Sequence, residues 1–286
     1  MRLVRDYARI RVPATTVLAS SRDGEKLGVA LNMCDDYAIT VTVGQSRAMI
    51  TGPNKQVFPQ NESHPTIEAI FATLDILQEP HAGISLIGQT AIPPAAGLGA
   101  RSAAVVAGIA AVRHLYGYPA EFTNNQIIEI ARKLGVSPER ASAILSGNGC
   151  GYWQNQNSSH IWPVELAADL PATLMLPEFG KNRDQHTYSV GPISALLRGL
   201  TNDPQILTHV CPTFLVPQTQ DERVAYSAHI LTALHKAQWP ALMCGSGPAF
   251  IVFARLESNM CAMLKEQGYV AHETSWGTGL EVVSAT

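Results

Sequence analysis

Two glycine-rich segments in this 286-residue chain have residue types and spacing suited to holding an anion. The first is Pro93-x-x-x-Gly97-Leu98-Gly99-Ala100-Arg101-Ser102, which leads into a run of small residues that reads as a helix over 102–116. Glycines let backbone N–H groups approach a phosphate closely, and a helix N-terminus behind them adds about half a positive charge. Arg101 would add a guanidinium fork for phosphate oxygens, and Ser102 a hydroxyl. By itself the segment also reads as an ordinary strand-to-helix loop. It is not a Walker A motif, since no Gly-Lys-Ser/Thr ends it, and it is not G-x-G-x-x-G. The second segment is Cys244-Gly245-Ser246-Gly247-Pro248, which forces a tight loop between two apolar runs. Its amides can face a ligand, and its plain alternative is a β-turn connection.

Other reactive side chains form no pattern. His64, His160, His186, His229 and His272 are scattered without paired metal spacing and read as surface or capping residues. No triad order accompanies Ser246. The five cysteines are odd in number and widely spaced, with no C-x-x-C, which points to free thiols in a reducing cytoplasm rather than disulfides or a structural zinc site.

The elements that must position the two loops follow from periodicity. Residues 9–12, 27–33 and 38–43 read as strands, with a polar loop over 19–25 and a turn at Cys34-Asp35-Asp36. Residues 65–77 read as a helix that opens on Pro65 and keeps Ile67, Ile70, Phe71 and Leu74 on one face. A strand over 83–87 precedes the first glycine loop. Thr123 or Asn124 caps a helix that ends at Gly135, and Ser137-Pro138-Glu139 starts a short one broken by Gly147, Gly149 and Gly151. Residues 154–160 read as a polar turn, and a domain boundary is placed at about 160. Beyond it, strands are expected at 173–176, 241–244, 250–253 and 280–283, with helices at 193–200, 223–235 and 258–266.

Taken together, the motifs are more specific than either is alone. Gly97-Leu98-Gly99 before a small-residue helix, then Gly245-Ser246-Gly247-Pro248 far downstream, resembles the GHMP kinase superfamily of small-molecule kinases. Arg11-Val12-Pro13-Ala14-Thr15-Thr16 followed by Leu27-Gly28-Val29-Ala30-Leu31 is similar to the first motif of homoserine kinases. The resemblance covers nearly the whole chain. It implies an α+β, two-domain fold: a ribosomal-S5-domain-2-like N-terminal phosphate-binding domain over 1–160 and a ferredoxin-like C-terminal domain over 161–286, with the active site in a cleft between them. It implies that Pro93, Gly97, Leu98, Gly99, Ala100, Gly245, Ser246 and Gly247 contact the phosphates. Arg101, Ser102 and Glu139 are the catalytic candidates. Thr15, Thr16, Glu25 and Arg140 are expected on the acceptor side.

This chain departs from the pattern at telling places. The Ser-Ser that follows Gly-Leu-Gly in the family, and helps hold magnesium, is Ala100-Arg101 here. The family's magnesium-associated Glu aligns with Gly135, its Asp with Glu139 and its Asn with Arg140. Leu18 replaces an Asn of the first motif, and Ala19-Ser20-Ser21-Arg22-Asp23 replaces its Gly-Pro-Gly turn. Metal ligands are lost and a cation is gained, so Arg101 and Arg140 are candidates to neutralise phosphate directly, with Lys26 or Arg22 assisting.

Three functions remain open. One is phosphoryl transfer from ATP to a hydroxyl of a small polar metabolite, without an assigned metal. Another is ribosyl transfer from phosphoribosyl pyrophosphate, as in the related ribofuranosylaminobenzene-phosphate synthases. The last is a ligand- or partner-binding homologue without catalysis. Twenty basic against 23 acidic residues give no electrostatic footprint for nucleic acid. The longest apolar run, residues 103–112, is about half the roughly twenty residues of a membrane span. The expected partner is a small molecule, with a homodimer possible.

Overall fold

The computed structural model describes residues 3–178, 188–216 and 219–283; His186 lies outside them. The chain opens with two long antiparallel strands, β1 (Tyr7–Ser20) and β2 (Lys26–Thr42). The first half of β1 alternates exposed and buried residues, as a strand covered on one face must. From Val12 onward burial becomes continuous, because this half of the strand is covered on both sides. The change coincides with a register shift between Pro13 and Ala14, opposite Cys34. The turn expected at Cys34-Asp35-Asp36 is instead a paired stretch of one continuous strand, and the register steps past Asn32 and Met33 just before it, since a proline cannot donate to the ladder.

Among the described residues the strands form two sheets. In the first, β2 pairs through its second half with β4 (Gly83–Gln89) and through its first half with β5 (Gly149–Gln154). Parallel to β4 runs β3 (Arg47–Thr51), β5 forms a hairpin with β6 (Ser159–Val164), and β11 (Glu281–Val282) adds to β1. Residue 160 thus falls inside β6, and the last strand returns to the first sheet, so sheet pairing runs past the boundary placed at 160. The second sheet has the order β10-β7-β9-β8, with β7 (Ala172–Pro177), β8 (Ala241–Met243), β9 (Phe250–Val252) and β10 (Tyr269–Thr274) all antiparallel. Helices α7 (Glu222–Lys236) and α8 (Ser258–Glu266) contact it at β8 and β10, and α5 (Ile193–Thr201) and α6 (Leu207–Val210) come between β7 and α7 in the chain.

Helices α1 (Pro65–Leu77) and α2 (Ala100–Leu115) pack on the first sheet, followed by α3 (Asn124–Lys133) and α4 (Pro138–Ser146). Thirteen of the sixteen residues of α2 are buried, so it is covered almost all round and its many alanines are a packing requirement. A Cβ at Gly108 would lie 2.3 Å from the Thr66 carbonyl of α1, which fixes how closely the two helices approach. No helix among the described residues is long and apolar enough to cross a membrane. All five cysteines are free.

The start of α1 is built on a buried histidine. His64 is its N-cap, and its Nδ1 accepts the Thr66 N–H at 3.2 Å. Burial pulls its imidazole down from 6.5 to about 4, so the folded chain keeps it neutral. A lowered imidazole gives stability that is present above the unfolded value and lost as the proton is forced on. In urea melts, wild type is therefore expected to lose stability between pH 6.5 and 4 relative to His64→Asn, which caps without titrating. Parallel pH profiles would contradict this.

Candidate functional site

The first glycine loop leaves β4 and is anchored before it turns. The Asp35 carboxylate on β2 accepts the N–H groups of Ala91 at 2.7 Å and Ile92 at 2.9 Å, and the Tyr37 hydroxyl donates to it at 3.1 Å. Burial pushes the Asp35 carboxyl up to about 6, while those three donors pull it down. Asn54 Nδ2 donates to the Ile92 carbonyl at 3.2 Å. The loop then passes against β1, where the Thr15 N–H donates to the Leu98 carbonyl at 3.0 Å.

The second loop meets the same place from the other sheet. The Gly245 N–H donates to the Val17 carbonyl at 3.0 Å, and the Ala249 N–H to the Ala96 carbonyl at 3.3 Å. Gly97 has φ +82, and a Cβ there would lie 1.9 Å from the Cys244 carbonyl oxygen. Gly99 has φ +71 at the start of α2, and a Cβ there would strike Thr15 at 2.8 Å. Ser227 on α7 supports the loop from behind, its hydroxyl 2.8 Å from the Pro248 carbonyl. Residues 15–17, 96–99 and 244–249, distant in sequence, are joined by backbone contacts into one cradle.

Charged groups reach the cradle from α4, which Gly28 lets sit on β2; a Cβ at Gly28 would lie 2.7 Å from the Glu139 carbonyl. Glu139 is fully buried, and neither carboxylate oxygen has a hydrogen-bond partner among the described residues. Its nearest cation is Lys26 Nζ, 3.8 Å from Oε1, and that ammonium lies over the rings of Tyr152 and Tyr188 at 6.0 and 5.7 Å. Arg140 turns the other way. Its Nη1 lies 3.5 Å from where a Gly99 Cβ would stand and its Nη2 2.8 Å from where a Gly245 Cβ would stand. Its Nε is buried with no partner among the described residues, and the guanidinium lies over Tyr188 at 5.9 Å. The Cys244 thiol beneath is fully buried, which pushes it up to about 12, against the opposing pull of the Thr16 hydroxyl and Arg140.

Beside this lies a cavity of about 510 Å³ lined by Glu25, Lys26, Arg132, Ser137 and Tyr188, among others. Thr15, Thr16, Gly97, Leu98, Gly99, Ala100, Ser102, Gly245, Ser246, Gly247, Glu139 and Arg140 therefore belong to the cradle's segments or helix starts and Glu25 to the adjoining cavity, while Pro93 lies upstream of them in the first loop. Ser102 is buried in the first turn of α2. Arg101 departs from expectation: it is exposed, and its Nη1 donates to the Leu134 carbonyl at 3.3 Å, away from Gly245. One helical position turns a side chain by about 100°, which carries Arg101 to the outer face. Sequence reasoning missed Asp35, Tyr152, Ser137 and Tyr188. Asp35 left a faint signal as half of an acid pair inside an apolar strand, and Tyr188 left none.

The residues do not fit a magnesium ion. That ion takes oxygen ligands in near-octahedral array. Ala100 and Gly135 offer no side-chain oxygen, Arg101 faces outward, and Glu139 looks toward an ammonium. Among the described residues no three His, Cys, Asp or Glu side chains gather as metal ligands.

The chain is an α+β protein in which a glycine-built cradle joins two sheets. Residues 66–145 match the family model "GHMP kinases N terminal domain". Homoserine kinase of Streptomyces coelicolor is 26% identical over 262 residues, covering 86% of this chain and 84% of that one. Homoserine kinase of Streptomyces avermitilis is 24% identical and covers 93% and 92%. Among solved structures, homoserine kinase from Cytophaga hutchinsonii superimposes with TM-score 0.74 at 17% identity over 99% of both chains. Mevalonate kinase of L. major does so with TM-score 0.68 at 15% identity, over 97% of this chain and 99% of that one. Residues 66–145 are thus similar to the GHMP kinase N-terminal domain, and the curated relatives named here are homoserine kinases.

Two glycines with the same φ of +82 separate close packing from backbone strain. At Gly135 nothing lies within 4 Å of an added Cβ, and Gly135→Ala is expected to cost only the left-handed penalty, about 1–2 kcal/mol. Gly97→Ala is expected to cost clearly more, because the Cβ meets the Cys244 carbonyl. Thermal melts of the two variants compare them, and equal losses would contradict the packing described.

Proposed function

We propose that this protein is a transferase that moves the γ-phosphoryl group of ATP to the hydroxyl of a small polar metabolite. The observation that carries the reading is the pair Glu139 and Arg140. These adjacent charged residues carry buried polar atoms without hydrogen-bond partners among the described residues, Arg140 facing the two glycine loops and Glu139 facing Lys26. Buried polar groups are nearly always satisfied, and leaving a charge unmatched is costly, so such a pair calls for a ligand.

Gly97, Leu98, Gly99, Ala100 and the first turn of α2, with Ser102, hold the phosphates from one side. Gly245, Ser246 and Gly247 close the other. The acceptor enters by the cavity at Glu25 and Lys26 and passes Thr15 and Thr16. Glu139 takes the proton of the acceptor hydroxyl as its oxygen bonds to the γ-phosphorus; the bond to the bridging oxygen breaks and ADP leaves. Such transfer depends on positioning and charge neutralisation more than on covalent help from the protein. Homoserine is the first acceptor to test because of the relatives' names, although Leu18 and Glu25 alter the first motif. Phosphoribosyl pyrophosphate is the rival donor, and a binding protein without turnover the rival class.

Coupled ADP release across small hydroxy compounds, with and without magnesium, tests the reading beside thermal shifts with ATP and with phosphoribosyl pyrophosphate. ADP release dependent on one acceptor is the expected result. A shift with phosphoribosyl pyrophosphate alone would replace phosphoryl with ribosyl transfer, and binding without turnover would leave a sensor. Glu139→Gln is expected to lower kcat by about 10²–10⁴ with ATP affinity little changed, the usual size of a lost general base. An unaltered kcat would remove Glu139 from proton transfer.

A further inference from the structure

We propose that Arg140 stands in for the divalent cation, so that this chain holds a polyphosphate through a guanidinium and without a metal ion. The inference rests on the phosphate-binding reading above and goes beyond it.

The first ground is position. The Arg140 fork spans the gap between the two glycine loops, one nitrogen toward Gly99 and the other toward Gly245. A polyphosphate lying on the amides at the start of α2 would face the second loop across this gap. A bridging cation there meets oxygens of neighbouring phosphates.

The second ground is that the group is held ready and uncommitted. It lies over the Tyr188 ring, its backbone N–H is tied into the first turn of α4 by the Ser137 carbonyl at 3.1 Å, and its Nε has no partner. No acid among the described residues forms an ion pair with it; its neighbour Glu139 faces Lys26 instead. A guanidinium keeps its charge at any physiological pH and offers several N–H donors in a plane that matches two phosphate oxygens.

The third ground is the donor set. Side-chain oxygens that could carry a metal are missing at Ala100 and Gly135, while the Arg140 guanidinium lies between the two glycine loops. A metal–nucleotide complex brings two further positive charges against Arg140. Free nucleotide does not.

Calorimetric titration of the intact protein with ATP, phosphoribosyl pyrophosphate and inorganic tripolyphosphate, each in EDTA and in excess magnesium, tests this. At least one ligand is expected to bind in EDTA as tightly as in magnesium or more so. Arg140→Gln is expected to lose at least tenfold in affinity in EDTA, and Arg140→Lys, which keeps the charge without the fork, to recover part. Melts by circular dichroism establish that the variants fold; if Arg140→Gln does not, the wild-type comparison and the lysine variant decide. Wild-type binding that requires magnesium would overturn the inference while leaving the phosphate-binding reading intact. So would unchanged affinity in a folded Arg140→Gln. No binding of any of the three in either condition would overturn both.

Discussion

Gly97 stands so close to the Cys244 carbonyl that no side chain fits between them, and much of the structure follows from that approach. The two loops belong to strands of different sheets, so the contact fixes how the sheets meet. β1 is the third party: Thr15 pairs with one loop and Val17 with the other, which leaves this half of the strand no solvent face. The bulge at Pro13 and Ala14 is where a one-sided strand becomes a two-sided one. Asp35 on the partner strand accepts the two amides at the loop's start. The cradle and the core are thus the same contacts seen from two sides.

Charge is placed with equal economy by α4. One short helix presents a carboxylate and a guanidinium in consecutive positions, and the turn between them sends Glu139 toward Lys26 and Arg140 toward the glycine loops. Gly28 lets the helix lie directly on β2. Burial of the Glu139 carboxylate and of Arg140 Nε without full pairing opposes folding, and a bound anion with a nearby hydroxyl would relieve it. The cost of stability and the capacity to bind have the same source.

The helices were the most legible elements, since their signals are local. Pro65 and the spacing behind it mark α1, and Thr123 with Gln126 forms the capping box that opens α3. The glycine motifs and their partnership were legible because their spacing is unusual. Strand limits were harder to read. Cys34-Asp35-Asp36 has turn composition, yet pairing with β1 holds it extended. Gly149 and Gly151 look like helix breakers, yet they belong to the β5–β6 hairpin, where the Trp162 ring lies 2.1 Å from where a Gly151 Cβ would be. Strand β10, Tyr-Val-Ala-His-Glu-Thr, carries no clear alternation of apolar and polar residues to mark it. Within the site, proximity in sequence favoured Arg101, next to the glycines. Arg140 was a candidate as well, and tertiary contact shows that its guanidinium, not that of Arg101, reaches the loops.

The proposed binding mode is one cradle, built from residues 15–17, 96–99 and 244–249, holding a polyphosphate against Arg140. Its most direct test is a crystal structure of the protein with ATP, grown without divalent metal. The account predicts the phosphates between the Gly97–Gly99 backbone and Gly245, with at least two of their oxygens within hydrogen-bond distance of the Arg140 guanidinium. Phosphates resting on Arg101 at the outer face of α2, or bound away from both glycine loops, would contradict it.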